Sequence, residues 1–422
     1  MTGRPVWRRR AAGSALALLL VLVCSGVLLY VHLNANLHTA AFTTHGRETT
    51  DAAGRTPINL LVIGSDTRGS SRDCKLGGDC SIADATSTKA TSEAANADVL
   101  MVVHISADRS NATVLSIPRD TMMTVPSCTD GATGAVQSKH TARINSTLEY
   151  GPDCTATAVH QLTGIAIDHF LVIDFQGVVT MSDAVGGVSV CVDRDVYDPY
   201  SHLKLAKGTH TLQGAAALEF LRTRHGFGDG SDIGRTVSQH IFLASMLRNM
   251  ESASTLANPV KVLKLADAAT SAVTVDPGLG SVKSLTWLAY QLNQVPGSRT
   301  SFVTMPTAPD PANPNVVVPA SNARALFDKV ASDTSLTAGR VGATSSSPAR
   351  RRTASATRSA GPRAGGTPAD DATTAGRDYA TTVTSAIGCA QVSTQRTVIV
   401  NGLPMTPTQA YQLSAATPDS AP

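Results

Sequence analysis

An α/β or mixed sandwich fold behind a single membrane-spanning helix is what the sequence predicts, and three features of the chain lead there. Residues 11–31 form an uncharged apolar run without proline. Short β-rich runs then alternate with stretches of helical periodicity, marking a folded domain over residues 57–334. Residues 335–376 are Ala, Ser, Thr, Gly and Arg with almost no large apolar side chain. Such a segment cannot bury enough surface to offset its ordering entropy and is expected to be a disordered linker.

The apolar run comes first. A helix of about 20 apolar residues matches a hydrocarbon core of roughly 30 Å. Arg4, Arg8, Arg9 and Arg10 precede it and no Lys or Arg follows until Arg47, so residues 1–10 are expected inside and the remainder outside the cell. A cleaved signal peptide has a shorter core, about 7–15 residues, with a small-x-small site close behind. Here the core is longer and H-L-N-A-N-L-H-T-A follows it, which favours an uncleaved anchor. Residues 32–56 read as a polar stalk.

The domain opens with I-N-L-L-V-I, a fully apolar buried strand running into the loop G-S-D-T-R. A Ser-, Gly- and Thr-rich insertion follows, near residues 69–96. D-V-L-M-V-V-H-I and A-T-V-L-S-I, joined by S-A-D-R-S-N, predict a hairpin. H-F-L-V-I-D-F predicts a strand, residues 177–184 a helix and V-S-V-C-V another strand after Gly186 and Gly187. Residues 212–219 are helical in pattern, and Ile233, Val237, Ile241, Ala244 and Leu247 recur at helical spacing over residues 233–250. Apolar stretches over residues 260–272 and 282–294 precede F-V-T-M-P. The tail, residues 377–422, holds one further strand candidate, T-V-I-V-N-G, and no assignable role.

Charge and cysteine usage narrow the function classes. A net charge of +3 is too small for a nucleic-acid binder. Seven cysteines in an exported chain favour disulfides. Cys24 lies in the apolar run, and Cys74 and Cys80 flank K-L-G-G-D as a local clip. Two of Cys128, Cys154 and Cys191 are expected to pair, without the sequence saying which, and the pairing of Cys389 is left open. No C-x-x-C or H-E-x-x-H spacing marks a zinc site.

The chemistry lies in a set of arginines and acids. In F-L-R-T-R, a strand would place Arg222 and Arg224 on one face, where paired guanidinium groups call for an anion and phosphate suits their forked donors. In D-I-G-R-T-V-S-Q, Asp232 can cap a helix on which Arg235 and Gln239, four apart, share a face. Arg119 and Asp120 leave a strand in S-I-P-R-D-T, Asp66 and Arg68 do so in G-S-D-T-R, and Asp98 opens a neighbouring strand. Acids among arginines fit a magnesium ion bound with a diphosphate. Taken singly, each piece is more often a solvated face, a helix cap or a local ion pair worth less than about 1 kcal/mol.

Their order is more telling. G-S-D-T-R, A-D-V-L-M-V-V, V-L-S-I-P-R-D-T, A-R-I-N-S-T-L-E-Y-G, I-D-H-F-L-V-I-D-F, D-A-V-G-G-V-S-V, L-Q-G-A-A-A-L-E-F-L-R-T-R and D-I-G-R-T-V-S-Q-H in succession resemble the LytR-CpsA-Psr family of cell-envelope enzymes over residues 57–250. The resemblance implies a membrane-anchored α-β-α sandwich with a central mixed sheet. It also implies transfer of a glycopolymer from a polyprenyl-pyrophosphate carrier to peptidoglycan, typically to the 6-hydroxyl of N-acetylmuramic acid, with Mg2+ as cofactor. Asp66 and Asp98 match the acids near the metal. Arg68, Arg119, Arg222, Arg224 and Arg235 match the phosphate-contacting arginines, and Gln239 a pocket glutamine. Asp120 and Asp232 would orient arginines, Asp120 alternatively assisting proton removal, while Arg143 and Asn145 stand where the family has Lys-Ile-Asn. The apolar helices on one side of the sheet would sleeve the polyprenyl tail.

Three departures from the family pattern stand out. Ser238-Gln239-His240 replaces Arg-Gln-Gln, Ala97-Asp98-Val99 replaces Ser-Asp-Thr, and Tyr150-Gly151-Pro152-Asp153-Cys154 replaces a paired glycine. Two other readings are a hydrolase of the lipid pyrophosphate and a non-catalytic lipid-binding regulator of the envelope. The polymer, whether teichoic acid, capsule or arabinogalactan, is not written in the sequence.

Overall fold

Eight strands hydrogen-bond into one mixed sheet, and the sheet decides where every other element goes. The computed structural model describes residues 6–48, 50–66, 96–130, 133–230, 232–251, 257–336, 381–383 and 388–421. The sheet strands are β1 (His38–Thr39), β2 (Ile58–Asp66), β3 (Asn96–Ile105), β4 (Ala112–Ser116), β5 (His169–Asp174), β6 (Val273–Val275), β7 (Thr300–Thr304) and β8 (Thr381–Val383), in the spatial order β1-β6-β5-β2-β3-β4-β7-β8. β2 pairs antiparallel with β3 and parallel with β5, and β3 continues antiparallel into β4, as the hairpin reading expected. The helices are α1 (Val6–Asn36), α2 (Pro152–Thr163), α3 (Phe175–Ala184), α4 (Gly214–Arg222), α5 (Asp232–Glu251), α6 (Pro259–Ala272), α7 (Val282–Asn293) and α8 (Ala323–Ala331), with a short further helix at Pro407–Leu413 in the tail.

The unbroken apolar run of β2 follows from burial on both faces. Leu61 and Ile63 point to one side and pack with Leu100, Leu115, Phe170, Val159 of α2 and Phe327 of α8. Ile58 and Leu60 point to the other, against Val273, Leu279 and Leu288 of α7. Local signals set the helix ends. Asp174 caps α3 by accepting from Gly177 N at 2.7 Å, Asn258 caps α6, and Ser281 and Ser284 form a capping box on α7. A third cluster gathers around the antiparallel pair Val188–Val192 and Gly208–Leu212, where Val190, Phe220 of α4 and Phe242 of α5 meet Ala390 and Val392 of the tail.

Two expectations are corrected. F-L-R-T-R is not a strand. The Ala-rich helix α4 runs on through Arg222, and Thr223 ends it, its amide and its hydroxyl both donating to Glu219 O. Residues 32–56 are not a free stalk, because β1 joins the sheet edge through β6 and Phe42 stacks edge-on against Phe170. As expected, two of Cys128, Cys154 and Cys191 pair, namely Cys128 with Cys154, and Cys191 takes Cys389, 198 residues away, which ties the tail to the third cluster. The expected linker lies almost wholly outside the described residues, as do Arg68, Cys74 and Cys80. The tail's strand candidate forms Val398–Val400, hairpinned to Leu403–Met405.

Within α1, the span Ser14–Asn36 holds an 18-residue stretch with a mean hydropathy of 2.6, and the span is long and apolar enough to cross a membrane. The last turn docks on the domain. Leu33 is buried, His32 Nε2 lies 2.9 Å from Asp267 Oδ1, and Val282 N donates to Asn34 Oδ1 at 3.1 Å.

Candidate active site

A bulge between β2 and β3 builds the centre of the site. Gly64 pairs with Val99 and Ser65 with Ala97, so Asp98 is an extra residue without a partner on β2. Such bulges re-aim a side chain. The approach demands glycine, since a Cβ on Gly64 would meet Val99 Cβ at 2.8 Å. Asp98 is thereby turned toward the loop after β4, where it accepts from Arg119 Nη1.

Asp120, buried next to it, lies 3.7 Å from Arg119 Nε and 3.4 Å from Arg143 Nη1. Arg143 is brought there by backbone stitching: Ile144 N donates to Thr121 O at 2.9 Å and Asn145 N to Arg119 O at 3.2 Å. From the helical layer, Arg235 Nη2 donates to Asp98 O at 3.2 Å, and Gln239 Nε2, one turn on, donates to Leu221 O at 3.4 Å. Both side chains are buried, at 6% and 5% exposure, which is rare for arginine unless it has partners.

These residues line a cavity of about 90 Å³ whose polar wall is Asp98, Asp174, Arg222, Arg235 and Gln239. Its apolar wall (Val62, Ile173, Val178, Leu221, Leu243) is shared with a second cavity of about 420 Å³ between the sheet and α5, α6 and α7. That larger space is almost wholly apolar and reaches Leu33 of α1. A side chamber of about 280 Å³ continues along β3 and β4 to Phe302 and shares Val62, Met181, Leu243 and Met246 with it. A cationic head therefore opens into a long apolar throat.

The predicted residues divide accordingly. Asp98, Arg119, Arg235 and Gln239 come together at one polar recess, and Arg222 joins Asp98, Arg235 and Gln239 in the cavity wall. Asp120 and Arg143 flank them. Arg224, two residues past the end of α4, lies outside both linings. This corrects the expectation that it shares a face with Arg222: the helical backbone of Arg222 and the cap at Thr223 break the period of two. Asp66 ends β2 opposite Asn96 and Asp232 is the first residue of α5, while their side chains, like Arg68 altogether, are outside the described residues. Asp174 was missed; its only signal was an acid between a strand and a helix, which looks like a cap and is one.

The departures at positions 238 and 240 leave the cavity intact. Ser238 Oγ donates to Arg235 O at 2.8 Å within its own helix. His240 faces away, with Nε2 2.6 Å from Ser116 Oγ and its ring 5.1 Å from that of Phe302. Burial pulls its pKa down to about 4, so the imidazole is neutral near pH 7.

Among the described residues no three His, Cys, Asp or Glu side chains gather as a metal cage. Magnesium needs none when substrate phosphates supply oxygens beside one or two carboxylates. The Asp98 carboxylate at the bulge suits that mode, and the backbone of Asp66 pairs with Asn96, two residues along β3.

The chain matches the model of the LytR_cpsA_psr family over residues 27–330. It belongs to that family. The cell wall biosynthesis protein LcpA of Corynebacterium glutamicum is 33% identical to it over 265 residues, 59% of this chain and 49% of that protein. The polyisoprenyl-teichoic acid–peptidoglycan teichoic acid transferase TagV of Bacillus subtilis is 30% identical over 181 residues, 42% and 44% of the two chains. This LytR-CpsA-Psr chain spans about half the length of the curated relatives it matches first. The LytR-Csp2A-Psr enzyme from Actinomyces oris shares its fold, with a TM-score of 0.51 at 22% identity over 70% of this chain and 96% of that one.

Proposed function

We propose that this protein transfers a glycopolymer from a polyprenyl-pyrophosphate carrier to peptidoglycan through a phosphodiester bond, outside the membrane that α1 spans. One observation carries the reading: the arginine-lined cavity runs directly into an apolar throat that ends at the anchor helix. A lipid diphosphate is the ligand with both parts. Its charged head fits Arg119, Arg222 and Arg235, and its chain fits the space between the sheet and α5, α6 and α7. The names of relatives that transfer teichoic acid to peptidoglycan support the same reading.

In the proposed step, the acceptor hydroxyl oxygen attacks the phosphorus bearing the polymer. The new P–O bond forms as the bond to the bridging oxygen breaks, and polyprenyl phosphate departs with that oxygen. The hydroxyl proton passes to the departing phosphate, whose second pKa is about 6. Phosphoryl transfer asks for positioning and charge neutralisation more than covalent help. Arg222 and Arg235 stabilise the charge that develops on the leaving group. Arg119 moves its donors from Asp98 to the phosphates, and Asp120 keeps Arg119 and Arg143 aligned. Magnesium held by Asp98 and Asp66 would neutralise further diphosphate charge.

The test is the full chain in vesicles with the lipid-linked polymer. Release of polyprenyl phosphate should require added peptidoglycan. Equal release without it would convert the assignment to pyrophosphate hydrolysis.

A further inference from the structure

The exposed apolar side chains of α6 and α7 are not scattered. Val260, Val262 and Leu263 lie on the first turns of α6, and Trp287 and Tyr290 on the outer side of α7, at 39–61% exposure. Both helices pack against the last turn of α1. Contacts rise together along α1 and α6. His32 meets Asp267, while Asn36 donates to Asp267 Oδ1 at 3.0 Å and to Thr270 Oγ1 at 3.4 Å. The two helices therefore run side by side in the same direction, and the start of α6 extends back along the apolar part of the anchor.

The distances make this consequential. The uncharged run ends at Val31, with Tyr30 half-exposed at its rim, so Asp267 stands level with the edge of the hydrocarbon. Val260 lies a further two turns back along α6, about 10 Å at 1.5 Å per residue. The first turns of α6 then lie beneath the headgroups, with Val260 roughly 10 Å past the acyl boundary, about the depth to which an interfacial helix buries its apolar face. Exposed Lys264 and Lys283 flank the apolar residues, as in interfacial helices that meet anionic lipid. Trp287 and Tyr290 are the residue types that gather at membrane interfaces.

We propose that α6 and α7 dip into the outer leaflet beside α1 and that the throat opens there. Thr286 and Ala289, exposed on α7, and Leu33 of α1 form the cavity wall nearest that leaflet. A lipid tail then enters from the side, out of the bilayer, without crossing water, and α1 is a fixed post beside the entrance. The occupant of this surface is the bilayer that already holds the anchor. The inference rests on α1 spanning that bilayer.

Trp7 and Trp287 are the two tryptophans, so Trp7→Phe leaves Trp287 as a reporter. The full chain is reconstituted in phosphatidylcholine–phosphatidylglycerol vesicles brominated either near the headgroup or near the chain terminus. Trp287 should lose most of its emission to the shallow bromines and little to the deep ones. Val260→Asp with Leu263→Asp should weaken that quenching while the chain still floats with the vesicles. Emission indifferent to both bromine depths in a chain that floats would overturn the proposal. It would indicate that a second copy or another protein covers the face. Failure to float would overturn the anchor itself.

Discussion

Arg119 donates to the carboxylate of Asp98, the residue that the bulge between β2 and β3 leaves unmatched. The pair couples the loop after β4 to the centre of the cavity. Without a diphosphate, each neutralises the other. With one bound as proposed, the arginine would turn to phosphate and the acid would be left to hold magnesium. Arg119→Ala should therefore lower transfer by about 10²–10³-fold, the usual cost of losing one transition-state donor. Asp98→Asn should raise the magnesium concentration needed for half-maximal rate. Steady-state transfer against magnesium concentration checks both, and an unchanged magnesium requirement would remove Asp98 from the metal.

Arg222 and Arg224, adjacent in any strand reading, should separate in function. Arg222 lines the cavity and Arg224 does not. Arg222→Ala or Arg235→Ala is expected to cost on the order of 10²–10³-fold in kcat/KM. Arg224→Ala should cost much less, and Tm should report that all three variants fold. Equal losses from Arg222→Ala and Arg224→Ala would contradict the cavity as drawn.

His240 should make the fold acid-sensitive. Its pKa is held near 4 in the folded chain, below the ordinary histidine value of 6.5. Between those values the unfolded chain binds the proton and the folded one does not, so stability is full above pH 6.5 and falls as pH drops toward 4. The span corresponds to about 3 kcal/mol at 1.36 kcal/mol per unit. His240→Gln can keep a hydrogen bond to Ser116 and should flatten this limb in denaturant unfolding at several pH values.

Glu48 should act in the opposite direction. It accepts from Asn59 Nδ2 beside Asp168 and Asp333, and its pKa is raised to about 7, chiefly by burial. The folded chain holds this proton longer than the unfolded one, so the group costs nothing below pH 4.5 and progressively more up to pH 7. Solvent at this half-buried site screens the cost to about 1 kcal/mol. Glu48→Gln should therefore stabilise the protein at pH 8 and leave it unchanged at pH 4.

The strands β2 to β5 were readable because their apolar runs are short, β-rich and bounded by turn residues. The acids and arginines at strand ends were readable too, because motif order survives in sequence. What failed was anything set by a competing local signal or by distance along the chain. F-L-R-T-R alternates like a strand, yet the Ala-rich segment before it carries the helix through Arg222. Asp174 looked like a cap and also faces the cavity. The bulge that turns Asp98 depends on pairing between β2 and β3 across a long insertion. The Cys191–Cys389 bond spans 198 residues, and no local pattern announces it.

The central claim is that the arginine-lined cavity joins a polymer to peptidoglycan while keeping one phosphate in the link. Mass spectrometry of muramidase-digested peptidoglycan, after incubation with the full chain and lipid-linked polymer, tests it most directly. The account predicts a muramic acid fragment carrying the polymer's first sugar through a single phosphodiester, absent with Arg222→Ala. Unmodified muramic acid beside free polymer ending in phosphate would contradict it.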